Sequence, residues 1–379
     1  MQIGVVGKTN VGKSSFFKAA TLIDVEISNR TFVTIKPNVG MGYITSPCPH
    51  TEIKKPCKPN NSQCSNGTRL IPINLLDVAG LVPGAHEGKG LGNQFLNDLV
   101  PANCLIHVVD ASGTTDAEGN QTNGYDPCED VKFLENEIDL WFTDVIKRNI
   151  EKIKEKEKAA EVLAGLGIRR RDVETAIAKA GLKPEELAKE LRLLSKPMII
   201  AANKIDLPNA QSNLEKMKKA FPQITIIPVC AEAEIALRAA SKAGLIKYVP
   251  GAKDFEINES SKISNEQKHA LEFIREKILK KFGSTGVQQC LNAAAFDVLK
   301  YVAVYPVENE THWSDRKGNV LPDVHLMPPG STPRDLAFKV HADIGKNFLH
   351  AVDAKKKMRL GADYHLKNFD VISIVSAAK

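Results

Sequence analysis

Eight residues constrain this chain more than any others: Gly7-Lys8-Thr9-Asn10-Val11-Gly12-Lys13-Ser14. They follow a short apolar run, Ile3 to Val6, and precede a helical run, Ser15 to Ala20, so the spacing G-x-x-x-x-G-K-S falls at a strand-to-helix turn. At such a turn the glycines let backbone N–H groups wrap phosphates, the lysine reaches the outer phosphates and the serine hydroxyl can hold Mg2+. Gly7, Asn10, Val11, Gly12, Lys13, Ser14 and Ser15 are therefore expected to bind the phosphates of a nucleotide, with Lys13 also serving the chemistry. A phosphate loop of this kind requires an α/β fold with a mostly parallel sheet.

The 379 residues exceed one ordinary domain of about 100–200 residues, and an apolar content of 43% suffices for two or three cores. No run approaches the roughly 18 apolar residues of a membrane span. The phosphate-loop strand follows Met1 so closely that no signal peptide is expected, which makes the expected location cytoplasmic and excludes a membrane partner. A net charge of +6 suits a phosphate-rich partner without requiring one. Seven cysteines, an odd number, read as reduced thiols. Cys48, His50, Cys57 and Cys64 fall together in a polar, proline-rich stretch at spacings that match no familiar zinc knuckle. The preferred reading is a surface hairpin with incidental or occasionally oxidised cysteines, and zinc at these four residues stays open.

Four further motifs follow in order. Thr34, in the loop from Phe32 to Gly40, stands where nucleotide switches keep a residue that senses Mg2+ and the γ-phosphate. Asp77-Val78-Ala79-Gly80 ends the apolar strand Ile71 to Leu76; Asp77 is placed to hold the Mg2+ shell, together with Ser14 and Thr34, and the Gly80 N–H to meet the γ-phosphate. Gly84, Gly88, Gly90 and Gly92 make the next tract pliable. After the strands Cys104 to Asp110 and Met198 to Ala202 comes Asn203-Lys204-Ile205-Asp206. A carboxylate at Asp206 can accept from guanine N1–H and the 2-amino group, whereas adenine offers neither donor. Cys230-Ala231-Glu232, after the strand Ile224 to Val229, is positioned for a backbone contact to the guanine oxygen.

This ordered set resembles a translation-factor-class GTPase domain, and the tract from Asp77 to Leu96 resembles the YchF branch of the Obg superfamily. The resemblance implies binding and hydrolysis of GTP with Mg2+. It also implies that water is not positioned by a glutamine after D-x-x-G, since Leu81 stands there, and that His107 could take that task; a buried core histidine is the plainer reading of the same residue. Asn10 matches the phosphate-loop asparagine of K+-dependent members of the wider class. Many YchF members have an altered base motif and resemble ATPases, but Asn203, Lys204 and Asp206 are intact here, which favours GTP and an archaeal-type YchF-related GTPase.

About 85 residues separate Asp110 from Met198, far more than one crossover helix needs. Leu134, Ile138, Trp141 and Val145 share one helical face, and an antiparallel, coiled-coil-like helical arm is expected, its second limb including Arg169 to Ala180 and Pro184 to Leu194. Arg169-Arg170-Arg171 reads as a solvated cap ahead of an RNA contact. Ser264 and Gln267 have capping-box spacing for a helix reaching about Lys281. From about Tyr301 come a strand to Val307, a hairpin through Lys317-Gly318-Asn319, a helix containing Asp335-Leu336-Ala337 and a strand from Val371 to Val375. That region resembles a β-grasp-like TGS module, in which Lys339, Lys346, Lys355, Lys356, Lys357 and Arg359 could meet RNA phosphates or serve as a solubilising face.

The expected domains are 1–127 and 196–300 for the GTPase domain with its connecting helices, 128–195 for the inserted arm and 301–379 for the TGS module. The partners implied are GTP and a ribosome or RNA reached through the arm and the TGS module, with no DNA. An ATPase, or an RNA-binding scaffold with structural nucleotide, is the alternative.

Overall fold

The structure, a computed structural model, describes residues 1–21, 39–78, 97–259, 263–361 and 363–377. Thr34, Gly80, Leu81 and the glycines at 84, 88, 90 and 92 lie outside the described residues. The chain divides into two compact units, 1–42 with 74–294 and 43–73 with 295–379.

The first unit is built on a mostly parallel sheet. In chain order its elements are β1 (Gln2–Val6), α1 (Lys13–Thr21), β2 (Val39–Pro47), which crosses into the second unit with α2 (His50–Ile53), β3 (Gln63–Ser65) and the first part of β4 (Thr68–Asp77), then β5 (Cys104–Asp110). After them come α3 (Cys128–Arg148), α4 (Ile150–Lys154), α5 (Lys156–Ala164), α6 (Arg170–Ala180), α7 (Pro184–Ser195), β6 (Met198–Asn203), α8 (Ala210–Ala220), β7 (Thr225–Pro228) and α9 (Ala231–Lys242). The strand order is β2-β4-β1-β5-β6-β7, with β3 antiparallel to β4.

Every residue of β5 and β6 is buried, the mark of central parallel strands covered on both faces. The register sets Val5 beside Asp77, Val6 beside His107 and Asp110 beside Asn203. The phosphate loop, the D-x-x-G aspartate and the N-K-x-D asparagine thus leave the sheet at one edge, the carboxyl ends of parallel strands, where open α/β sheets bind ligands.

The insertion comprises five helices that share a core with the sheet. Leu134, Ile138, Phe142 and Ile146 of α3 are fully buried in one cluster with Leu105 and Met198, and Leu187 and Leu191 of α7 close it. Trp141 and Val145, expected on the buried face, are half-buried at its flank. The seam runs one residue further on because α3 is covered by the sheet and by α7, which widens its apolar stripe. Arg192 of α7 reaches Glu135 and Asp139 of α3 at 2.7 Å each. Arg169 and Arg170 are exposed and pair within their own helix start, with Asp172 and Glu174.

The capping box at Ser264 and Gln267 is formed, and its helix, Asn265–Ile274, runs on through a π-helical turn, Arg275–Leu279, to Phe282 before Gly283 ends it at φ +81°. Before it, β8 (Ile246–Lys247) and β9 (Glu256–Ile257) form a short antiparallel ribbon.

In the second unit, β10 (Val302–Val307), β11 (His325–Met327), β12 (Phe348–Asp353), β13 (Met358–Leu360) and β14 (Val371–Ser376) form a sheet in the order β11-β10-β14-β12-β13, in which only β10 and β14 run parallel. The helix Pro333–Val340, held at its start by a capping box between Thr332 and Asp335, lays Leu336 onto Val304, Met327, Ala351 and Ile372. This is the β-grasp-like form expected. Among the described residues no helix is long and apolar enough to cross a membrane.

Candidate nucleotide site

Residues of three motifs line one open cleft of about 720 Å³: Lys8 to Asn10 and Gly12 to Ser15 from the phosphate loop, then Asn203, Lys204, Asp206 and Leu207, then Cys230, Ala231 and Glu232. Gly7 and Val11 stand behind this lining, both buried. The volume falls in the range of about 300–1,000 Å³ typical of small-molecule sites.

Asn203 bolts the three motifs together. Its Nδ2 donates to the Val11 carbonyl at 2.9 Å, and its Oδ1 accepts from the Ala231 N–H at 3.2 Å. Gly12 is required beside it: at φ +90° the backbone is left-handed, and a Cβ there would lie 2.2 Å from Asn203 Nδ2. Asp206 is exposed in the cleft, with the Cys230 thiol donating to Oδ1 at 3.2 Å. Burial, and then the Asp206 charge, push that thiol up to about 12, so it stays a donor.

Lys13 Nζ donates to Asp77 Oδ1 at 2.5 Å and to the Val78 carbonyl at 2.8 Å. The Ser14 hydroxyl is exposed at the start of α1, and Asp77 is part-exposed. These are hard oxygen donors, the kind Mg2+ takes, so both residues fit the ion. Ser15 also lines the cleft.

His107 does not line it. The ring belongs to the middle of β5, between Val6 and Ile200, with 1% of the residue exposed, and Nδ1 has no hydrogen-bond partner. Burial, with a smaller push from Lys8, lowers its pKa from 6.5 to about 3, so the imidazole is neutral at physiological pH.

The structure adds residues that the motifs did not indicate. Lys8, buried inside the phosphate loop, donates from Nζ to the Thr115 carbonyl at 2.9 Å and to Asp130 Oδ1 at 2.8 Å, and lies 4.0 Å from the centre of the Tyr125 ring. The Thr9 hydroxyl and the Asn10 amide donate to the carbonyls of Glu118 and Gly119. Gly119 permits the approach: φ is +90°, and a Cβ would lie 1.9 Å from Thr9 Oγ1. At the end of β5, Asp110 accepts from the Ser112 N–H, from the hydroxyls of Ser112, Thr114 and Thr115, and from Lys204 Nζ at 2.9 Å. Burial pushes the Asp110 carboxyl up, but hydrogen bonds from Ser112, Thr115 and Lys204 more than offset it and hold it below the ordinary range. The 112–125 segment is thus a clasp around the outside of the phosphate loop. An aspartate ending a buried parallel strand, followed by three hydroxyl residues in five positions, is the one sequence signal that points to it.

In the second unit, ligand atoms of Cys48, His50, Cys57 and Cys64 all lie within 4.8 Å of one another.

Residues 2–155 match the family described as 50S ribosome-binding GTPase, 201–309 the G4-motif-containing domain of Obg-like GTPase YGR210-like, and 317–376 the TGS domain. A GTP-binding protein of Methanocaldococcus jannaschii is 52% identical over the whole of this chain and 99% of its own length. The crystal structure of a GTP-binding protein from Pyrococcus horikoshii OT3 superposes with a TM-score of 0.80 at 40% identity, covering all of both chains. The Bacillus subtilis ribosome-binding ATPase YchF is 31% identical across 62% of this chain and 66% of its own.

Proposed function

Because this chain belongs to the Obg-like GTP-binding proteins, in their YchF-type branch, we propose that it is a GTP-hydrolysing molecular switch whose nucleotide state is read by a ribosomal partner. The observation that carries the guanine assignment is Asp206, a carboxylate acceptor exposed in the cleft that also holds the phosphate loop. Asn203, Lys204 and the backbone of Cys230, Ala231 and Glu232 complete the base pocket. The name of the Bacillus subtilis relative states an ATPase. An adenine base would leave Asp206 without its donors, and that favours GTP.

For the chemistry, Lys13 is the group that meets developing charge on the outer phosphates, leaving Asp77 to do so. Ser14 and Asp77, joined by Thr34 on the sequence pattern, are assigned as the oxygen groups that would hold Mg2+, which when bound would supply positive charge to oppose that of the phosphates. The Gly80 N–H is assigned to the γ-phosphate on the same pattern. His107 is assigned to packing, because a neutral ring enclosed in the sheet does not reach the cleft. The proposed roles are 1–42 with 74–127 and 196–294 for nucleotide, and 128–195 with 43–73 and 295–379 for the partner. The ribosome is supported by the names of the matched family and of the YchF relative.

Lys13→Ala is expected to abolish GTP turnover and to remove any difference in ribosome co-sedimentation between a GTP analogue and GDP. Undiminished turnover in that variant contradicts the proposal.

A further inference from the structure

The cysteine and histidine cluster of the second unit takes no part in the nucleotide site. Cys48 follows β2, His50 opens α2, Cys57 lies in the loop after it and Cys64 is on β3. Local backbone brings them together. Lys54 ends α2 in the left-handed region at φ +51°, and Asn66-Gly67, both at positive φ, make the tight turn from β3 to β4. The Cys48 N–H then donates to the Gly67 carbonyl at 2.8 Å, which draws the end of β2 beside that hairpin.

The Sγ atoms of Cys48 and Cys57 are 3.9 Å apart, and Cys64 Sγ lies 3.6 Å from His50 Nδ1. A tetrahedral Zn2+ with bonds of about 2.3 Å to sulfur and 2.0–2.1 Å to nitrogen has edges of about 3.8 Å between sulfurs and about 3.6 Å between sulfur and nitrogen. A disulfide would need about 2.05 Å between sulfurs, and three sulfurs leave one unpaired in any case. The cysteines are free thiols.

Arg69 is the second, independent observation. It is 0% exposed, its Nη1 lies 3.9 Å from Cys48 Sγ, its Nη2 donates to the Leu321 carbonyl and its guanidinium lies 5.5 Å from the Tyr305 ring centre. Its Nε has no partner, and among the described residues no carboxylate pairs with it. A fully buried cation without an anion is costly. Three thiolates, one neutral imidazole and one divalent ion carry a net charge of −1, which would balance it.

We propose that Cys48, His50, Cys57 and Cys64 bind one Zn2+ in a closed structural site, with Arg69 as the compensating charge. Four protein ligands leave no open position, so the ion holds structure and does no chemistry. Uptake displaces the three thiol protons as three sulfur–zinc bonds form, with no change of oxidation state. The ion pins the 48–64 insert, which hydrogen-bonds through Lys58, Asn60 and Asn61 to the backbone of Val320, Pro322 and Val324. The site fixes that face of the second unit whether or not the nucleotide reading holds.

The test is metal analysis of the untagged, full-length protein, followed by replacement of the ion with Co2+ under reducing conditions. One zinc per chain is expected, and the cobalt form should show the strong visible bands and thiolate charge-transfer absorption of a tetrahedral Co2+–thiolate site. Cys57→Ser with Cys64→Ser should lose the ion, His50→Cys should keep one ion with a spectrum shifted towards four thiolates, and Cys290→Ala should change nothing. Guanine-nucleotide binding by each variant reports that the first unit is folded. Failure of the reduced, metal-free parent protein to take up Zn2+ or tetrahedral Co2+ overturns the proposal, as does unchanged metal content in the double variant.

Discussion

Asn203 makes two hydrogen bonds that tie the motifs of the cleft together, donating to the Val11 carbonyl and accepting from the Ala231 N–H. Asn203→Asp keeps the size but turns a carboxylate oxygen towards the Val11 carbonyl. It is expected to weaken binding of a fluorescent GDP analogue more than Asn203→Ala, which leaves two groups unpartnered at roughly 1–3 kcal/mol each. Titration of the two variants compares them directly, and equal affinities would mean that the bridge does not position the loop. His107 makes a different prediction. Folded, it binds a proton only below about pH 3, whereas unfolded it does so below the ordinary histidine value of 6.5, so the unfolded state holds the extra proton between them. Stability should therefore fall as pH drops through that window, by up to about 1.4 kcal/mol per pH unit from this residue, and level off below it. Urea midpoints of His107→Gln should show a correspondingly shallower acid limb, with turnover at neutral pH close to parental. A rate drop of about 10²-fold or more without loss of GTP binding would instead make His107 a catalytic group.

At the scale of elements, what was readable in the sequence was whatever a short stretch encodes by itself. The mostly apolar runs of β5 and β6, the capping box at Ser264, Pro184 at the start of α7 and the strand-to-helix phosphate loop all carry their signal within a few residues. The clasp around that loop left only the faint signal of an aspartate followed by hydroxyl residues, because Lys8, at a variable position of the loop motif, meets Asp130 from 122 positions away and Asp130 belongs to no motif. The cysteine cluster was half readable: the ligand types were visible, but a left-handed Lys54 and an Asn-Gly turn, not a regular spacing, bring them together. The π-helical turn after Ile274 left no trace in the apolar periodicity. The clasp also bears on Asn10, whose Nδ2 is spent on Gly119 while its backbone sits at φ +63°, leaving Oδ1 as a hard oxygen at the mouth of the phosphate loop. K+ held there would supply about one positive charge where many GTPases use an arginine, so turnover is expected to be roughly tenfold or more faster in KCl than in NaCl at equal ionic strength. Asn10→Gly, which tolerates the backbone angle, should abolish that difference while GTP still binds. Identical parental rates in the two salts would rule the ion out.

At the scale of the whole molecule, each unit has its own core, and the candidate chemistry lies in the first. The boundary is a finding that spacing alone did not convey: residues 43–73, an excursion between the strands that flank the first switch motif and D-x-x-G, belong with the C-terminal sheet. The chain between the first switch motif and D-x-x-G therefore passes through the second unit. The proposed switch depends on the nucleotide being GTP, and the base preference is what Asp206 decides. The most direct measurement is competition against a fluorescent guanine nucleotide bound to the full-length protein. Unlabelled GTP should displace it roughly 10²-fold or more better than ATP, and Asp206→Asn should narrow that ratio, since an amide donates where the carboxylate accepts. Equal displacement by GTP and ATP would contradict the account.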